Sequence, residues 1–141
     1  DLEAPEGEYL TDRLTEEALS FMRQNSHQPF FLYLPYYAVH TPIQPKDSLE
    51  QKYLDKGGMG CQSHAAYAAM VDNLDRCIGL LLEELDNMGI RENTLVIFTS
   101  DNGAAWEGEV GPFKGGKTDL HEGGIRVPFF AVWPGKITEK V

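Results

Sequence analysis

Thr94-Leu95-Val96-Ile97-Phe98-Thr99-Ser100-Asp101-Asn102-Gly103 decides how this chain is read: a run of β-branched and aromatic residues that stops at an Asp-Asn-Gly turn. Because apolar and polar positions do not alternate, the run predicts a strand buried on both faces, as in a parallel α/β sheet. Ligands of such sheets collect beyond the carboxyl ends of the strands, where Asp101 and Asn102 stand. Both residues offer hard oxygen donors, and Gly103 lets the backbone turn sharply behind them. The competing reading is an Asx turn that simply closes the strand, since Asp-Asn-Gly is good turn material. Two donors are half a site at most, because Ca²⁺ takes about 6–8 oxygen ligands.

Downstream, a turn-rich stretch holds Gly115-Gly116-Lys117-Thr118-Asp119-Leu120-His121-Glu122-Gly123-Gly124-Ile125-Arg126-Val127-Pro128, before a second apolar run, Phe129–Trp133. Lys117 and Arg126 can meet an anion, and the glycines allow close backbone approach. The loop from Gly103 to Val127 is long for a compact domain, and loops of that length are usually functional or mobile.

Upstream, Tyr67, Met70, Val71, Leu74, Cys77, Ile78, Leu81, Leu85 and Met88 recur at helical spacing, and Gly89 ends the pattern as a helix C-terminus does. Phe30-Phe31-Leu32-Tyr33-Leu34 reads as another buried strand. Strand, long helix, strand is a βαβ unit, so the Phe30 and Val96 strands are expected to run parallel in one sheet. Before them, Thr11 or Thr15 can cap a helix with Leu14, Ala18, Phe21 and Met22 on its apolar stripe. The segment from Pro42 to Lys56 reads as a polar loop.

The 141 residues suffice for one domain with a core. A net charge of −10 argues against general nucleic-acid binding, and no apolar stretch approaches a membrane span. Any anionic substrate must then be met by local cations. Cys77 reads as a small buried thiol, whereas Cys61, in a glycine-rich turn region, carries no assignment. Asp72 and Asp75 read as a solvated helix face beside Arg76, and His27 and His64 as surface or helix-start residues.

Together with Pro35-Tyr36-Tyr37-Ala38-Val39-His40-Thr41-Pro42, these segments resemble the sulfatase family, a branch of the alkaline-phosphatase-like superfamily, in the family's own order from about Tyr9 to Gly135. The resemblance implies an α/β fold, part of a three-layer α/β/α sandwich with a mostly parallel central sheet. It implies a sulfuric ester hydrolase in which Asp101 and Asn102 bind a divalent metal, Ca²⁺ in preference to Mg²⁺, and Lys117 and His40 are catalytic. The lysine that Lys117 matches contacts the sulfate and the leaving-group oxygen. His40, in the family's His-x-Pro pattern, would contact sulfate or transfer a proton. Arg126 reads as structural, pairing with a carboxylate, while Trp106 and Phe113 could line a substrate pocket and Lys114 could contact substrate.

Sulfatases attack with a formylglycine made within a Cys/Ser-x-Pro-x-Arg motif, and no cysteine or serine of this chain fits it. The expectation is therefore that residues 1–141 are a single partial catalytic domain whose N-terminal portion, with the formylglycine, is absent, leaving the isolated segment inactive. Exposed sheet edges would then favour self-association. The expected substrate is a sulfate ester, either an aryl sulfate or a sulfated sugar or glycan. The expected parent protein is exported (periplasmic or extracellular) or lysosomal. Alternatives are a phosphonate or phosphate ester hydrolase of the same superfamily and a non-catalytic sulfatase-like binding module.

Overall fold

In the computed structural model, helices α1 (Leu10–Asn25), α2 (Asp47–Lys56) and α3 (Ala65–Asn87) precede a 3₁₀ turn at Arg91–Asn93. Strand β1 (Val96–Thr99), a single helical turn α4 (Glu122–Ile125) and strand β2 (Phe129–Val132) follow. The structure describes residues 5, 7–56, 65–105 and 110–138. Cys61, His64 and Trp106, with the readings placed on them, lie outside the described residues. Those described fall into two compact units, one ending at Arg91 and the other beginning at Glu92.

In the first unit, α1 and α2 each pack against α3. The stripe foreseen on α3 is present, with Met70, Cys77 and Leu85 buried, joined by Ala65, Ala68 and Ala69. Gly89 closes the helix at φ 68°, the left-handed conformation in which the next amide, Ile90 N–H, reaches back to the Leu85 carbonyl at 3.1 Å. Neither threonine caps α1. The helix starts after Tyr9, and Thr11 and Thr15 lie inside it, buried. The Thr15 hydroxyl donates to the Thr11 carbonyl within the helix at 2.7 Å and meets the Tyr36 hydroxyl at 2.8 Å, so these contacts use the oxygen that a Thr15 cap would have used.

α2 replaces the second half of the expected polar loop. It buries no residue, so it carries no apolar stripe to announce it. Asp47 and Glu50 in its first turn and Lys56 in its last complement the helix dipole, and Lys52 pairs with Asp72 of α3 at 2.6 Å.

The strand expected at residues 30–34 is not formed, and the parallel pairing with β1 falls with it. Residues 29–37 are neither helix nor strand. Burial still alternates along them, with Phe30, Leu32, Leu34 and Tyr36 half-covered and Phe31 and Tyr33 exposed, as in an extended segment covered on one face. Phe30 meets Phe21 of α1 edge-on at 5.8 Å. In the second unit, β1 instead pairs antiparallel with β2, Val96 opposite Val132 and Thr99 opposite Phe129. Ile97, Phe98, Phe129 and Phe130 are all exposed, so the run that reads as buried on both faces has neither face covered by described residues.

Candidate active site

β1 delivers Ser100-Asp101-Asn102-Gly103 directly at its carboxyl end, as the sequence suggests. Asn102 donates an amide N–H to the Asp101 carboxylate, and Ser100 Oγ donates to the Asn102 carbonyl at 3.0 Å. This arrangement spends a nitrogen of Asn102 and none of its side-chain oxygen lone pairs. Two adjacent hard oxygen donors suit Ca²⁺ or Mg²⁺ in chemistry, though not in number. Among the described residues no three His, Cys, Asp or Glu side chains gather as a metal cluster.

Backbone hydrogen bonds tie the Lys117 loop to this turn. Lys117 N–H donates to the Ala104 carbonyl at 2.9 Å, and Gly103 N–H donates to the Gly124 carbonyl at 2.8 Å. Gly123 N–H donates to the Lys114 carbonyl at 2.8 Å. The strands of this crossing lie too close for side chains. A Cβ on Gly103 would stand 1.8 Å from the Gly123 oxygen, and one on Gly123 would stand 2.3 Å from the Gly115 oxygen. The glycines thus admit one another's backbone. Asp119 clamps the loop reciprocally: its carboxylate accepts from Gly116 N–H at 3.1 Å, and its own N–H donates to the Gly116 carbonyl at 2.9 Å.

Between Lys117 and Asp119, Thr118 is held at φ 81°. A β-branched residue in the left-handed region costs about 1–3 kcal/mol, and such strain clusters at sites whose surroundings over-determine it. Arg126 behaves as read: it pairs with Glu122 at 3.1 Å and lies over the Phe113 ring at 4.7 Å. Asp101, Asn102 and Lys117 therefore share one backbone framework.

His40 belongs to the helical unit, on the segment 35–46. Its Nδ1 lies 2.8 Å from the Thr41 carbonyl and 3.2 Å from the Tyr37 hydroxyl, while Tyr37 Oη donates to the same carbonyl at 2.6 Å. A carbonyl only accepts, so this contact requires a proton on Nδ1. The ring is exposed and tilted against Tyr37 at 5.1 Å between centroids. Sequence reading missed the parts played by Asp119 and Tyr37. The one signal for Asp119 was its place three residues after a glycine, the spacing of a four-residue turn. Nothing distinguished Tyr37 from its neighbours.

The Sulfatase family model matches residues 1–141. The chain belongs to the sulfatase family. It is 40% identical over 136 residues to N-acetylgalactosamine-6-sulfatase of Homo sapiens, across 92% of this chain and 24% of that protein. It is 39% identical over 140 residues to steryl-sulfatase of Mus musculus, across 92% and 21%. Among solved structures it resembles that of Ps i-CgsB in complex with k-i-k-neocarrahexaose, with TM-score 0.83 and 39% identity over 94% of this chain and 30% of that one. It also resembles the PsFucS1 sulfatase from Pseudoalteromonas sp., with TM-score 0.74 and 31% identity over 91% and 25%. The chain therefore spans about a quarter of the length of these curated relatives. The α/β class expected from its apolar runs is that of these sulfatases.

Proposed function

We propose that this chain supplies part of the active site of a sulfuric ester hydrolase, with Asp101 and Asn102 as metal ligands and Lys117 and His40 as catalytic residues. The observation that carries this reading is the glycine crossing, which couples the Asp101-Asn102 turn to Lys117 through the Lys117–Ala104 and Gly103–Gly124 hydrogen bonds. A cation on Asp101 and Asn102, Ca²⁺ in preference to Mg²⁺, would offset the negative charge of the sulfate oxygens. Cleavage of the ester S–O bond puts charge on those oxygens and on the departing alkoxide, and a positioned ammonium at Lys117 stabilises both. His40, its Nδ1 engaged by Thr41, contacts sulfate or hands a proton to the leaving oxygen through Nε2.

Residues 1–141 form part of one catalytic domain in this reading. Its formylglycine lies outside them, because no Cys/Ser-x-Pro-x-Arg motif occurs here. The 141 residues alone are then inactive. The substrate class is sulfate esters, whether aryl sulfate or sulfated sugar, and the complete enzyme is exported or lysosomal. No helix among the described residues is long and apolar enough to cross a membrane. The exposed apolar side chains of β1 and β2 support self-association of the chain by itself.

The test is hydrolysis of an aryl sulfate and the matching aryl phosphate by the complete enzyme, with Lys117→Ala and a chelator in parallel arms. Preferential sulfate turnover that falls at least about a hundred-fold in Lys117→Ala is the expected result. Preferential phosphate turnover would reassign the site to phosphorus esters. No turnover of either ester by folded, metal-loaded enzyme would leave a binding module.

A further inference from the structure

Thr118 occupies a turn position suited to glycine. Asp119 N–H donates to the Gly116 carbonyl at 2.9 Å, which closes Gly116-Lys117-Thr118-Asp119 into a turn with Lys117 and Thr118 at its corners. In type II geometry the third residue of such a turn needs φ of about +80°, which glycine adopts freely and a β-branched residue does not. Thr118 stands there at φ 81°. The surrounding backbone enforces it. The Asp119 carboxylate accepts Gly116 N–H at 3.1 Å, and Lys117 N–H is tied to the Ala104 carbonyl at 2.9 Å. The threonine side chain gives the fold little in exchange: it is exposed, and its hydroxyl makes no hydrogen bond with the described residues. Strain of this kind gathers at sites of function.

We propose that Thr118 is a specificity-determining residue: its hydroxyl takes a hydroxyl group of a sulfated sugar, next to the sulfate that Lys117 meets. The proposal rests on the reading of Lys117 given above and narrows the substrate class from sulfate esters at large to sulfated sugars. Consecutive Cα atoms are about 3.8 Å apart, so Thr118 stands at the edge of any site built round Lys117. The chemistry of the side chain then decides the class. A hydroxyl both donates and accepts, as do the hydroxyls that a sulfated sugar carries on the carbons beside its ester. The carbons beside the ester of a simple aryl sulfate carry only hydrogen. A threonine hydroxyl against them gives up water and gains no partner. Glycine at this corner would relieve the strain and lose that discrimination, so the strained residue serves selectivity.

The experiment uses the complete enzyme with para-nitrophenyl sulfate, a panel of galactose and glucose monosulfates esterified at each hydroxyl, and thermal melting. Wild type should hydrolyse at least one sugar sulfate. On the best of these, Thr118→Val, which keeps the branched shape and drops the hydroxyl, should lower kcat/KM about three- to ten-fold, the worth of one neutral hydrogen bond. Turnover of para-nitrophenyl sulfate should stay at the wild-type level. Thr118→Ser should keep the sugar rate. Thr118→Gly should lose it as Thr118→Val does, yet melt at a higher temperature, because the strain leaves with the side chain. Equal losses on both ester classes, an unchanged sugar rate in Thr118→Val, or para-nitrophenyl sulfate turnover with no sugar sulfate accepted overturns the proposal. So does a lower melting temperature in Thr118→Gly, which would show that the side chain serves the fold. If Thr118→Val fails to fold, Thr118→Gly and Thr118→Ala carry the same test. Turnover of neither ester class by wild type, or full turnover of both by Lys117→Ala, instead defeats the reading of Lys117, and the proposal with it.

Discussion

A methyl group on residue 124 would lie 2.1 Å from the Asp119 carbonyl oxygen and 2.4 Å from that of Gly116. Both oxygens belong to backbone held by the reciprocal Gly116–Asp119 hydrogen bonds, so neither can step aside as a flexible side chain would. Gly124→Ala should therefore cost at least about 2 kcal/mol of stability, read as a lowered urea midpoint with unchanged slope. A wild-type midpoint would show that the crossing is loose. At this scale the sequence was partly legible. It located Asp101, Asn102 and Lys117 on loops and assigned the glycines to close approach, yet the partner of that approach is other backbone, which residue identity alone does not name. Cys77 was legible outright: its apolar neighbours foretold a buried thiol, and burial raises its pKa, so it stays protonated at neutral pH.

Among the elements, α3 announces itself because a long helix repeats its stripe often enough for periodicity to stand out, whereas α2 has no stripe and packs on α3 beside the Lys52–Asp72 pair. The exposed Gly79 in the middle of α3 has nothing within 4 Å of the position of a Cβ. Alanine there removes backbone entropy from the unfolded chain at no steric cost, so Gly79→Ala should raise stability by about 0.5–1 kcal/mol, measured by thermal melting. Lower stability would mean that α3 needs a soft point. β1 and β2 were legible as strands but not in their partnership. Apolar runs report what a segment can be covered by, and β1 pairs with β2 across a loop instead of with residues 30–34, which carry the same composition.

For the molecule taken together, burial was the least legible property. The sequence predicts strands covered on both faces, and Phe31 at 86% and Phe129 at 62% exposure stand in solvent. Charge behaves more simply. Burial raises the Asp12 carboxyl, but hydrogen bonds from Lys46 and Asn73 outweigh it and hold the group below its ordinary value. Asp72 and Glu84 are lowered by hydrogen bonds from Lys52 and Arg23. A carboxylate lowered on folding stabilises above its unfolded pKa and loses that contribution as pH falls through the folded value. Urea unfolding should therefore weaken between about pH 5 and about pH 3, and Asp12→Asn should flatten that slope. An unchanged slope would mean that Asp12 is not held in its charged form by these partners.

The antiparallel pairing has a consequence in time. Helical hydrogen bonds in α1 and α3 close over four residues, whereas Thr99 Oγ1 finds the Pro128 carbonyl 29 residues along the chain. That closure carries an entropy cost that local helix formation does not, and local pairing precedes distant pairing. The glycine crossing sits inside the same loop, so the framework that joins Asp101 to Lys117 is assembled with the β1–β2 pair, after the local turns of α1 and α3.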